Sequence, residues 1–446
     1  MKLWRMLCRS RLFFVSCIAV TLYLTLTFWT MNLKTEEKVV LPIEDYKISI
    51  NGGRGEHGEG DAEAAAQIRK ENDGGAAVDS FQDLHLDSIT CKEKQNFVFI
   101  KCMKCATETM ATIIRRFGYT RNLSFLTPVK DKLYLGWPYL MTRFDYRPSS
   151  RGYNIVMEHS IYNKTIMQKI MPKDTLYISI IREPFSQVKS TINYFKVLQI
   201  LNITSENGLS EYLHNLEKYE PIYQSPEKHQ PRFCIPDGFS MTKNLMSHCH
   251  GMPLGFPAGR PDISGDPSAV DRYIQDLGKE FYFMMLVEYF HESLVLLKRK
   301  MCWTFHDILY KSVNDGNYTY KKTQPDPELV AIYKKWSPAD YKLYNHFNKT
   351  FWETVAKQGG DFFEEVAAFD QVQKRVSHFC DYGEQADLKI ETSKWSPGFS
   401  MVRHDCKMLW PDLLRRIQAR HNKDEKVLLQ RERMAGSVHH KPQALC

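Results

Sequence analysis

Nowhere in its 446 residues does the chain carry an Asp-x-Asp or a Gly-x-x-x-x-Gly-Lys. The first absence argues against a metal-dependent glycosyltransferase, the second against a nucleotide kinase. Cys-x-x-Cys occurs once, at Cys102 to Cys105, and His248-Cys249-His250 is spaced too tightly for tetrahedral ligation, so no metal is expected. An excess of one charge is lacking too. The 60 Lys and Arg stand against 52 Asp and Glu, and the net +8 falls to +4 once the basic Lys2, Arg5, Arg9 and Arg11 are set aside. So mild a surplus gives no case for a nucleic-acid partner.

What is present begins with that basic cluster. It precedes an uncharged stretch, residues 12–33, and about twenty apolar residues span a bilayer. The positive-inside rule then predicts a cytosolic tail over 1–11, a membrane-anchoring signal anchor over 12–33 and a luminal remainder. A cleaved signal peptide is the alternative, but the segment exceeds an ordinary apolar core and lacks a small-x-small cleavage site. Residues 34–88 are charged, Gly-rich and poor in aromatics, a composition for a flexible stem. Five Asn-x-Ser/Thr sequons, at Asn122, Asn163, Asn202, Asn317 and Asn348, fall on the luminal side and read as glycosylation acceptors. Of eleven cysteines, Cys8 and Cys17 precede the lumen; the other nine are an odd number, so at least one thiol is left over from internal pairing.

Apolar runs at Phe97–Ile100, 154–157, Leu176–Ile181 and 281–287 read as buried strands with helical patterns between them, hence an α/β domain over 89–360 with a mostly parallel sheet flanked by helices. After the first run, a polar loop leads into a helix whose Met110, Ile113, Ile114 and Phe117 share one face. Such a loop aims free N–H groups and the positive helix end at one point, and Lys101 and Lys104 add charge, so an anion is expected there. Arg182-Glu183-Pro184 ends the third run and opens another helix, with Ser190 roughly two turns on; an arginine fork with a hydroxyl suits a second phosphate. Ser337 to Asp340 reads as a capping box for a helix carrying Leu343, Phe347, Phe351 and Val355. Residues 225–267, rich in Pro, Gly and His, read as a long surface loop, and 361–446 as a helical extension ending in a basic, polar tail.

The segments Phe-x-x-x-Lys-Cys-Met-Lys-Cys-Ala-Thr-Glu-Thr (97–109) and Ile-Arg-Glu-Pro-x-x-x-x-x-Ser (181–190) resemble the two nucleotide-binding signatures of sulfotransferases that use 3′-phosphoadenosine-5′-phosphosulfate. The chain most resembles the galactose 3-O-sulfotransferases, and the resemblance runs from about 95 to 357 through the blocks at 154–163, 171–184, 286–303 and 343–355. It implies a P-loop-like sulfotransferase fold behind a single transmembrane helix. It also implies a type II Golgi membrane enzyme that needs no metal and moves a sulfonyl group onto a galactose hydroxyl, expected to be the 3-OH, of a glycolipid or glycoprotein glycan. Cofactor contacts carry over to Lys101, Lys104, Ala106, Thr107, Thr109, Arg182 and Ser190. The family's first signature usually reads Lys-Thr-His-Lys-Thr-Ala-Ser-Ser-Thr; here Cys102, Met103 and Cys105 replace Thr, His and Thr, and Glu108 replaces a Ser.

Sulfonyl transfer needs a base for the acceptor hydroxyl and a cation for the charge growing on the leaving phosphate. Lys104 is the expected cation. His159, just past the second strand and matched by a histidine in the family's block, is the expected base, with an acidic limb of activity near an imidazole pKa. Glu108 is the second choice. Two other readings stay open: a relative that binds cofactor or glycan without catalysis, given the missing histidine, and a thiol-disulfide oxidoreductase built on Cys102 and Cys105.

Overall fold

The computed structural model describes residues 91–420 and 426, apart from 130–132, 230–231, 233–234, 313–317, 319, 322–323 and 412. The expected tail, anchor and stem, and Asn317, lie outside the described residues. No helix among those described is long and apolar enough to cross a membrane.

Four parallel strands make the central sheet: β1 (Phe97–Ile100), β2 (Ile155–Val156), β3 (Leu176–Ile181) and β4 (Phe283–Leu286), in the order β2-β1-β3-β4. Phe97 is level with Ile155 on one side and Leu176 on the other, and Ile178 with Phe283. All four residues of β1 are fully buried, as a strand covered on both faces requires. Because β1 lies between β2 and β3, the loops leaving all three strands emerge side by side, where an open α/β sheet binds ligands.

Helices flank the sheet. Helix α1 (Thr107–Thr120) follows β1 and buries Met110, Ile113, Ile114 and Phe117, the face its spacing predicts. Helix α2 (Pro184–Tyr194) follows β3 with Pro184 in its first turn. Helices α3 (Pro267–Glu280), α4 (Phe290–Met301), α5 (Pro338–Ala356) and α6 (Phe362–Tyr382) complete the layers. Phe362, Phe369, Val376 and Phe379 of α6 enter the same apolar core as the sheet, so α6 packs as part of this body. A hairpin, β5 (Asp387–Ile390) with β6 (Phe399–Val402), follows and was not foreseen. Disulfides join Cys91 to Cys302 and Cys380 to Cys406.

Two local expectations are corrected. Ser337 and Asp340 form no capping box. Instead Asn244 Oδ1 accepts from the Ala339 and Asp340 N–H groups at 3.0 and 3.3 Å, while Asp340 accepts from the N–H groups of Met246 and Ser247 at 3.1 and 2.7 Å. Each segment caps the other's helix start, because both starts are buried and neither has water to bond. The stretch 225–267 is not merely a surface loop: Met241, Leu245, Met246, Cys249 and His250 are fully buried, and His250 Nε2 lies 2.9 Å from Ser179 Oγ on β3. Its elements are too short to show a period.

Buried charge locks α6 to α4. Glu365, 1% exposed, accepts from Lys298 Nζ at 2.8 Å and Arg299 Nε at 2.6 Å. Glu365→Ala leaves Lys298 buried without its carboxylate and is expected to cost about 3–5 kcal/mol. Urea unfolding followed by circular dichroism checks this, and an unchanged midpoint would refute it.

Candidate functional site

The loop between β1 and α1 is held by its carbonyls. The carbonyl of Lys101 faces His159 Nδ1 at 2.8 Å, that of Cys102 accepts from Thr107 Oγ1 at 2.9 Å, that of Met103 from Gln187 Nε2 at 3.1 Å, and that of Lys104 from Arg182 Nη1 at 3.3 Å. Four consecutive C=O groups thus turn toward donors from separate parts of the fold. In a trans peptide the N–H points opposite to the C=O, so each of these bonds also fixes the orientation of the N–H that follows it. Lys104 (φ 63°) and Ala106 (φ 50°) both adopt the left-handed conformation, an anion nest's geometry held at a cost of roughly 1–3 kcal/mol each. Ala106 caps α1 without a side-chain bond.

The two loop lysines differ. Lys101 is 1% exposed and its ammonium lies 2.6 Å from Glu108 Oε2 and 3.6 Å from Glu158 Oε2. Arg115 closes the ring, reaching Glu108 Oε1 at 2.6 Å and Glu158 Oε1 at 2.9 Å. Lys101 therefore has its charge matched inside the fold. Burial by itself would raise the Glu108 carboxyl, but Lys101 and Arg115 outweigh it and hold it well below the usual carboxylate range. A carboxylate held this firmly is a poor proton acceptor, so the structure disfavours Glu108 as a base. Lys104, by contrast, forms no ion pair among the described residues. Its ammonium lies 3.9 Å from the ring centre of Tyr194, and burial, with the Arg182 guanidinium beside it, lowers it to about 8.

The loop after β3 supplies the second cation. Arg182 is half-buried, and its only described side-chain bond is to the Lys104 carbonyl, so most of its five donors are free. The start of α2 is closed: Glu183 accepts from the N–H groups of Phe185 and Ser186 at 2.8 and 2.6 Å. Glu288, beyond β4, accepts from the Glu183 N–H at 2.9 Å and pins the loop. At this junction the anion-binding capacity is carried by side chains. Ser190 is half-buried on α2, and Tyr194, one turn further, was missed in the sequence; its spacing of four from Ser190 was the available signal.

His159 completes the convergence. It is 8% exposed, and its ring lies 5.4 Å from that of Tyr134 and 6.5 Å from that of Trp137. A carbonyl only accepts, so the bond to Lys101 assigns the proton to Nδ1 and leaves Nε2 as a lone pair. Burial, reinforced by the Lys101 charge, pushes this imidazole well below its ordinary pKa. An acidic limb set by this imidazole would fall below the ordinary imidazole range.

Met103, at the position of the family's histidine, is 5% exposed and lies in an apolar cluster that also holds Trp137, Ile161 and Phe185. Thr109 is buried in the first turn of α1. Asn122 and Asn202 are exposed on turns; Asn163 caps a short helix by accepting from the Ile166 N–H, and Asn348 lies within α5. Cys102, Cys105 and Cys249 are buried free thiols. Burial raises Cys102 and Cys105 well above the ordinary thiol range, the reverse of an activated redox pair.

Fold and site together define an α/β protein whose loops at one end of a parallel sheet carry Lys104, Arg182 and His159. A family model described as Galactose-3-O-sulfotransferase matches residues 62–408. Human galactosylceramide sulfotransferase is 30% identical over 310 residues, 66% of each chain; Galactose-3-O-sulfotransferase 2 of Mus musculus is 27% identical over 293 residues, 64% of this chain and 69% of that one. Galactose-3-O-sulfotransferase 3 of Mus musculus is 25% identical over 314 residues, 67% of each. The chain belongs to the galactose-3-O-sulfotransferase family. Its match spans a little under two thirds of the galactosylceramide sulfotransferases of human and mouse.

Because both thiols of the Cys-x-x-Cys are buried, a thiol reagent added to the native protein should leave Cys102 and Cys105 unlabelled and modify them only in denaturant. Rapid native labelling of either, read by mass spectrometry, would revive the redox reading.

Proposed function

We propose that the chain transfers a sulfonyl group from 3′-phosphoadenosine-5′-phosphosulfate to a galactose hydroxyl, the 3-OH, of a glycolipid or glycoprotein glycan. The observation that carries this is the meeting of three strand-end loops: Arg182 on the Lys104 carbonyl and His159 on the Lys101 carbonyl, at a helix start with no side-chain cap. The residues fit the donor, since Lys104 and Arg182 are cations with no carboxylate partner among the described residues and Ser190 offers a hydroxyl with no described bond.

When bound, the donor supplies the sulfonyl group, whose S–O bond to phosphate breaks as the bond to the acceptor oxygen forms. His159 Nε2 takes the proton of the acceptor hydroxyl. Lys104, with the N–H groups of Ala106, Thr107 and Thr109, stabilises the negative charge left on the phosphate. Arg182 and Ser190 hold the 3′-phosphate. Lys101 is assigned to the loop itself, since Glu108 and Glu158 already use its charge, and Glu108 to holding Lys101. Residues 12–33 anchor the chain as a type II Golgi membrane protein with this domain in the lumen, a placement supported by their sequence and by the sequons at exposed Asn122 and Asn202.

Arg182→Ala is expected to weaken binding of 3′-phosphoadenosine-5′-phosphate by about 2–4 kcal/mol in calorimetry, with the neighbouring donors intact. Unchanged affinity would remove the assignment.

His159→Ala should abolish most sulfate transfer to β-galactosides while nucleotide affinity holds. In the wild type, activity should persist on acidification past the ordinary imidazole range, because the base stays unprotonated until its lowered pKa is reached. A limb at 6.5 or above would argue for another base, and full activity in His159→Ala would exclude this one.

A further inference from the structure

A cavity of about 470 Å³ lies beyond the aromatic wall that backs His159, within the usual range of about 300–1,000 Å³ for ligand sites. The wall is continuous. The His159 ring is 6.5 Å from Trp137, Trp137 is 5.5 Å from Phe239, and Phe239, which lines the cavity, is 4.8 Å from both His248 and Phe256. One backbone segment spans both ends: the Leu135 N–H donates to the His159 carbonyl at 2.7 Å, and the Pro138 carbonyl accepts from His248 Nε2 at 2.8 Å.

The lining is mixed. Phe239, Phe256, Leu254 and Trp336 give it apolar faces, while Glu217, Asp262 and Lys243 give it exposed polar groups. Glu217 forms no described ion pair, Lys243 lies 4.7 Å over the Trp336 ring, and Trp336 Nε1 is buried without a hydrogen-bond partner. Glu220, also in the lining, is already engaged by Tyr212, Gln224, Ser240 and Thr242. Three carboxylates against one ammonium disfavour an anionic occupant such as a sialylated or already sulfated sugar. A hydrocarbon tail would bury these polar groups without partners. A neutral chain rich in hydroxyls satisfies both conditions: hydroxyls donate to Glu217 and Asp262, and the C–H faces of sugar rings lie on the aromatics.

We propose that this cavity is a subsite for the inner, neutral sugars of an oligosaccharide acceptor whose terminal galactose reaches His159. The proposal rests on the transfer reading above for the position of that galactose, and it favours a glycan chain over a single sugar on lipid.

The full chain in detergent should be titrated by calorimetry with a neutral tetrasaccharide ending in β-galactose, with its sialylated counterpart and with methyl β-galactoside. The neutral tetrasaccharide is expected to bind at least tenfold more tightly than the other two. Glu217→Gln and Trp336→Ala should each erase most of that gap and leave methyl β-galactoside unchanged; in transfer assays they should raise KM for the tetrasaccharide and spare kcat. Equal affinity for tetrasaccharide and methyl galactoside, or a gap that neither variant reduces, would overturn the subsite. A gap that behaves as expected in a protein that transfers no sulfate to any galactoside would keep the subsite and discard the transferase reading. Glu217 is exposed and makes no described bond, so its variant tests the site even if Trp336→Ala fails to fold.

Discussion

Four consecutive carbonyls, from Lys101 to Lys104, face donors supplied by α1, α2, the end of β3 and His159, the third residue after β2. The site depends on this constraint. It fixes the loop's peptide planes, and it sets the His159 tautomer. It also ties Arg182 to the loop that it assists. Individually these bonds contribute about 1 kcal/mol, so the loop's strained left-handed residues persist only because several bonds act on one short segment.

Beneath the loop lies a second layer of control. Lys101, Glu108, Arg115 and Glu158 neutralise one another out of solvent, and this lets a lysine sit beneath an anion site without competing for the anion. Glu108, in the first turn of α1, is the residue through which this chain pairs Lys101 inside the fold. Met103 follows the same logic from the apolar side. It is packed into the second cluster with Trp137, Ile161 and Phe185, and the imidazole near the site comes from the segment just past β2.

Much of the scaffold was legible from the chain. The apolar runs marked all four sheet strands, although β2 and β4 proved shorter than expected; Pro184 marked the first turn of α2, and the spacing of Met110 to Phe117 marked the buried face of α1. These signals are local, and local preference and tertiary packing agree there. The reciprocal caps between Asn244 and Asp340 were not legible, because their partners are about a hundred residues apart and a capping box was the nearer explanation. The hairpin β5–β6 was hidden in a polar segment. Tyr194 had only its spacing to announce it.

Sequence by itself determined the family, the four strands of the central sheet, and the two segments proposed to carry anion-binding chemistry, because each is written in contiguous residues whose periodicity and type have one main structural outcome. Tertiary structure decided which of those charges remain available. Lys101 and Lys104 are three residues apart and chemically identical in the chain. One is buried against two carboxylates and the other lies beside Arg182, a distinction set by Glu108 in the first turn of α1 and by Glu158 just past β2. Availability is a property of what surrounds a group in space, and only folding brings those surroundings together.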